Sequence, residues 1–117
     1  MALLPPAPDD DKAICATLSV LGGKWKILIL FALYDGVKRF NELRRLVPGV
    51  TQRMLTAQLR ELEEQHIIKR TVFAQVPPKV EYELSEIGKT LTPVLCGLKK
   101  WGACYLEKVA ALQNGDN

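Results

Sequence analysis

Residues 40–65 read FNELRRLVPGVTQRMLTAQLRELEEQ, and the fold turns on how this stretch divides. Phe40, Leu43, Leu46 and Val47 recur at helical spacing until Pro48-Gly49 interrupts them, a tight connection of the kind that joins two helices at a steep angle. A second helix starts at once. Thr51 is placed to cap it, its hydroxyl accepting from a backbone N–H two or three residues on, and Leu55, Leu59 and Leu62 line one face as far as about Gln65. Gln52, Arg53, Thr56 and Arg60 fall together on the opposite face. A helix that hides leucines and shows these side chains presents them to something outside the chain.

On the N-terminal side, Ile14, Leu18 and Leu21 mark a short first helix from Ala13, closed by Gly22-Gly23. Lys24–Asp35 follows as a core helix, with Trp25, Leu28, Ile29, Ala32 and Leu33 on one side and Asp35-Gly36 as its stop. On the C-terminal side, residues 67–73 and 79–84 are β-prone runs separated by Ala74-Gln75-Val76-Pro77-Pro78, which predicts a stiffened hairpin. Ser85 opens the last helical region, where Leu91, Val94, Leu95, Leu98 and Trp101 recur at spacings of three and four and continue through Tyr105, Leu106 and Val109, with a kink expected at Pro93. The predicted class is mainly α with a small β-hairpin (α+β), a winged helix-turn-helix with N- and C-terminal dimerisation helices. The expected organisation is a Pro- and Asp-rich N-terminal arm over 1–12, one domain over 13–106 whose 85–106 region makes the dimer, and a tail over 107–117.

Composition fits a globular chain. Of 117 residues, 48% are apolar and 25% charged, enough to build a single core and still dissolve. The longest apolar run, Ile27–Leu33, falls far short of the roughly 20 residues of a membrane span. The acidic, proline-rich start has no basic and apolar leader pattern, so a cytoplasmic location is expected. Cys15, Cys96 and Cys104 are an odd number without metal-like spacing, and His66 is the only histidine, so neither a metal site nor a cofactor is expected. No glycine-rich phosphate loop, nucleophile–histidine pair or framed carboxylate pair points to an enzyme.

The net charge of +3 is unevenly placed. Residues 38–81 hold nine basic side chains against five glutamates, while the flanks are neutral or slightly acidic, as a surface facing a polyanion requires. Double-stranded DNA is the expected partner. The second helix of such a pair lies in the major groove with its N-terminal residues at the base edges, which makes Thr51, Gln52, Arg53 and Thr56 the expected base-contacting residues. Arg44, Arg45, Arg60, Lys69, Arg70 and Lys79 are the expected backbone contacts. Arg44 and Arg45 also have Glu42 and the glutamates of the next helix as alternative partners. So apolar a last helix points to burial against a second copy, with Ile14, Leu18, Leu95, Leu98, Trp101 and Tyr105 as the expected dimer contacts. Cys15, near the expected start of the first helix and Lys12, is the candidate redox sensor, since a helix dipole favours a thiolate there.

Five stretches resemble one family. They are Leu21-Gly22-Gly23-Lys24-Trp25, Arg39-Phe40-Asn41-Glu42-Leu43, Pro48 to Leu55, and Pro77 to Leu84, followed by Gly88, Pro93 and Trp101. In this order the chain resembles, over about Cys15 to Trp101, the HxlR-type winged-helix regulators of bacteria, related to the MarR regulators. The resemblance implies a homodimer built by the first and last helices that binds an inverted repeat, and a cysteine at the place of Cys15 that in some members responds to oxidants or electrophiles. Ala16 stands where proline is common, and His66 where the recognition helix commonly closes with glycine. The competing expectation is a winged-helix module that uses this surface for protein contact, or that binds a small-molecule effector at the dimer interface.

Overall fold

The structure, a computed structural model, describes residues 10–115. In chain order it comprises α1 (Asp10–Leu21), α2 (Lys24–Leu33), β1 (Lys38–Arg39), α3 (Phe40–Leu46), α4 (Gln52–Glu64), β2 (Ile68–Phe73), β3 (Lys79–Leu84), α5 (Glu86–Lys89) and α6 (Thr92–Gln113). Helix α2 is the pillar of the core. Its Ile29, Leu30 and Leu33 are buried against Leu43 and Val47 of the α3 segment, Leu55, Leu59 and Leu62 of α4, and Leu95 of α6. The apolar spacing of the sequence thus selects the buried face of each helix.

The α3–α4 connection forms as its residues require. Gly49 adopts φ 86°, a left-handed conformation that suits glycine, and a Cβ built there would face the Trp25 ring at 3.7 Å. The Thr51 hydroxyl accepts from Met54 N–H at 3.1 Å, capping α4. At the other end, His66 N–H donates to Glu63 O and Ile67 N–H to Leu62 O, both at 3.0 Å, a Schellman closure with Leu62 and Ile67 buried. The closure needs a left-handed residue, and His66 fills it at φ 65° at a cost on the order of 1 kcal/mol.

The hairpin extends to a third strand. The order is β1-β3-β2, all antiparallel, with Lys38 opposite Tyr82, Arg39 opposite Glu81, and β2 paired to β3 from Ile68↔Leu84 to Phe73↔Lys79. β1 was not expected, because two residues carry no alternation to read.

Other boundaries differ as well. α1 begins at Asp10, ahead of the position expected for the domain start, and residues 1–9 of the expected arm lie outside the described residues. α6 continues to Gln113, past the expected boundary at 106. Pro93 does not kink a continuous helix. The chain breaks after α5, and Pro93 falls in the first turn of α6, where its missing N–H leaves no hydrogen bond unmade. Leu95, expected at the dimer contact, is instead packed in the core of its own protomer, because α6 leaves the body only beyond that turn.

Beyond the core, two helices stand away from the body. From Asp10 to Ser19 every residue of α1 is exposed, as are nearly all residues of α6 from Cys96 on. The radius of gyration is 17.6 Å, against about 13 Å for a compact domain of similar size. The foot of α1 is held by a polar knot. The buried Lys26 ammonium donates to Ser19 O at 3.1 Å and to Gln65 Oε1 at 3.4 Å, with Glu61 Oε1 at 3.8 Å, and Gln65 Nε2 donates to Ser19 O and Oγ.

Candidate nucleic-acid interface

Gln52, Arg53, Thr56 and Arg60 are exposed on one face of α4 and, with Ala57, line an open concavity. The leucines on the other face fix the helix's rotation, so packing alone aims these side chains outward. Thr56 Oγ1 donates to Gln52 O at 2.8 Å, which commits the hydroxyl proton and leaves the oxygen lone pairs and the methyl group facing out. Thr51 is committed as the helix cap, although its hydroxyl proton remains free to donate. Neither Arg53 nor Arg60 forms an ion pair among the described residues.

The hairpin divides its basic residues between two faces, since successive side chains along a strand point oppositely. Arg70 reaches the cleft beside α4, lined by Thr56, Leu59, Arg60, Glu63 and Tyr82, so two guanidiniums from α4 and β2 share it. Lys69 lies on the other face, opposite Glu83. There the Lys79 ammonium sits 3.2 Å from Glu81 and 5.0 Å from the centroid of the Phe73 ring, so part of its charge is offset within the hairpin. Lys69 and Arg70, expected to act alike, therefore face different surroundings.

Arg44 and Arg45 are exposed in the last turn of α3, and neither takes Glu42 as a partner. The Glu42 carboxylate turns back to accept from Arg39 N–H at 2.9 Å, closing the start of α3. Lys38 is also withdrawn from the surface. It donates to Asp35 at 2.7 Å and holds that carboxyl below its ordinary range.

Ile14, Leu18, Leu98, Trp101 and Tyr105 are all substantially exposed, and the last two rings stack at 5.2 Å. Cys15, Cys96 and Cys104 are free and exposed. α1 spans Asp10–Leu21, so Cys15 lies in its second turn behind an acidic first turn and not at the helix start expected for it. Among the described residues, no three His, Cys, Asp or Glu side chains gather as a metal site, and no single helix is long and apolar enough to cross a membrane.

The comparisons with known proteins agree with this architecture. Residues 20–110 match the HxlR-like helix-turn-helix family. The HTH-type transcriptional regulator YdeP of Bacillus subtilis (strain 168) is 56% identical over 97 residues, which cover 83% of this chain and 76% of YdeP. The solved structure of the redox regulator HypR in its reduced form is 50% identical, covering 85% of this chain and 98% of that one, with a TM-score of 0.80. A MarR-family transcriptional regulator of Enterococcus faecalis V583 is 40% identical and superposes with a TM-score of 0.76 over 87% of this chain and 93% of that one. The fold is thus shared with solved transcription regulators, and the chain belongs to the HxlR-like helix-turn-helix family.

Proposed function

We propose that this protein is a cytoplasmic homodimer that binds double-stranded DNA sequence-specifically at an inverted repeat, with one α4 in the major groove of each half-site. The observation that carries this reading is the outward face of Gln52, Arg53, Thr56 and Arg60, whose arginines form no ion pair among the described residues, on a helix fixed by its buried leucines. Arg53 suits bidentate pairing with guanine and Gln52 with adenine, each good pair discriminating by about 1–3 kcal/mol, while Arg60 and Arg70 meet phosphates. Two copies joined through α1 and α6 set half-sites about 34–36 Å apart.

Selection from a random duplex pool at two salt concentrations tests the reading. The wild-type protein retains a palindromic site, and binding to it falls steeply as salt rises. Arg53→Ala binds that site about ten- to a hundredfold more weakly, with the discrimination lost at one base pair per half-site. Absence of any enriched sequence, together with binding that vanishes near physiological salt, rules the reading out in favour of a protein or small-molecule partner.

Similarity to the redox regulator HypR favours a further layer, in which oxidation of the exposed Cys15 thiol tunes DNA affinity. Operator binding by wild type is expected to change after treatment with a mild peroxide, and binding by Cys15→Ser to stay constant. An equal response from both proteins removes Cys15 from this role.

A further inference from the structure

A second basic site lies away from the outward face of α4. A cleft of about 460 Å³ opens between α3 and the turn end of the hairpin, lined by Arg39, Phe40, Asn41, Glu42 and Arg45 together with Pro78 and Val80. Two guanidiniums, from β1 and from the last turn of α3, meet there with the Asn41 amide. Neither arginine forms an ion pair among the described residues.

The carboxylates near enough to compete are engaged elsewhere. Glu42 turns one oxygen to Arg39 N–H, and Glu81, directly across the ladder from Arg39, is drawn to Lys79 at 3.2 Å. The cleft holds two cations against one carboxylate, so it keeps a net positive charge. Its lining combines apolar Phe40, Val80 and Pro78 with the planar N–H donors of Arg39, Asn41 and Arg45. Planar, forked donors in a positive cleft match the oxygens of a phosphodiester.

Its place in the fold identifies the phosphodiester. With α4 in the major groove, the first helix of the pair crosses the DNA backbone and the hairpin reaches the neighbouring groove. Resting on the reading proposed above, we infer that Arg39, Asn41 and Arg45 seat a phosphate of the DNA strand that separates those two grooves. Arg39 and Asn41 thereby become backbone-contacting residues, and Arg39 a more effective one than the self-paired Lys79.

Arg39→Gln and Lys79→Gln, compared with wild type on the selected operator and on random duplex across a salt series, test this assignment. Loss of a charge-assisted bond predicts about tenfold weaker binding of Arg39→Gln to both duplexes. It also predicts a slope of log affinity against log salt shallower by about 0.9, with base preference unchanged. Lys79→Gln loses less on both measures. Arg39 is exposed, so its unfolding temperature is expected to match wild type and a folding defect is not confused with lost contact. Steep, specific binding by wild type with an unchanged affinity and slope in Arg39→Gln overturns the phosphate seat and leaves the α4 reading standing. A changed base preference overturns it too, by making Arg39 a reader of sequence. Failure of wild type to bind either duplex takes down both readings.

Discussion

Gly88→Ala is expected to destabilise the domain by about 3 kcal/mol, lowering the unfolding midpoint by at least about 10 °C. A Cβ at this position stands 2.1 Å from Ile67 O and 3.2 Å from the Ile67 carbonyl carbon, so backbone has to move to admit it. That carbonyl is already in use. It accepts from Ser85 N–H at 2.9 Å and shares, at 3.0 Å, the Ser85 hydroxyl proton that is held more closely by His66 O at 2.6 Å, while Ser85 Oγ in turn accepts from Gly88 N–H. Displacing Ile67 therefore strains both the closure of α4 and the cap of α5, adding unmade hydrogen bonds to the overpacking. Thermal unfolding measures the effect, with Gly97→Ala as control, because an added Cβ there meets nothing within 4 Å. A Gly88→Ala midpoint within about 2 °C of wild type contradicts the account.

Trp101→Ala is expected to weaken the proposed dimer about a thousandfold while leaving the protomer folded. Trp101 is 68% exposed and stacked on Tyr105, and Leu98 one turn before it is exposed too, so the protomer core does not depend on it. A buried aromatic anchor at an interface is worth about 2 kcal/mol or more, and a two-fold interface counts each substitution twice, giving about 4 kcal/mol in all. Sedimentation at micromolar concentration reads the shift to monomer, and operator affinity falls with it because each half-site is then held alone. An unchanged dimer in Trp101→Ala shows that α6 is not the interface.

What was legible from sequence was local. The α3–α4 pair, the Thr51 cap and the buried leucines follow from spacing within a dozen residues, and the outward face of α4 follows from them by geometry. Features created by distant contacts were not legible. β1 exists only because Lys38 and Arg39 pair with β3, so a two-residue run gave no signal, and the cleft around Arg39 went unseen with it. Leu95 and Leu98 look alike in a helical stripe, and only the point at which α6 leaves the body separates core from surface. Lys69 and Arg70 likewise look equivalent until the strand register assigns their faces. The burial of Lys26 was not legible either, because its hydrogen-bond partners Ser19 and Gln65 lie 7 and 39 residues away.

That buried lysine has a mechanical meaning. Ser19, Lys26 and Gln65 tie the foot of α1 to the far end of α4. Helix α4 has 13 residues and is about 20 Å long at roughly 1.5 Å per residue, so a tilt of about 10° at its tied end swings its N-terminal end by about 3 Å. Hydrogen bonds to base edges tolerate only a few tenths of an ångström. In the proposed dimer joined through α1, a repacking between the two arms that tilts α4 by this amount would take both helices off the base edges they are proposed to read.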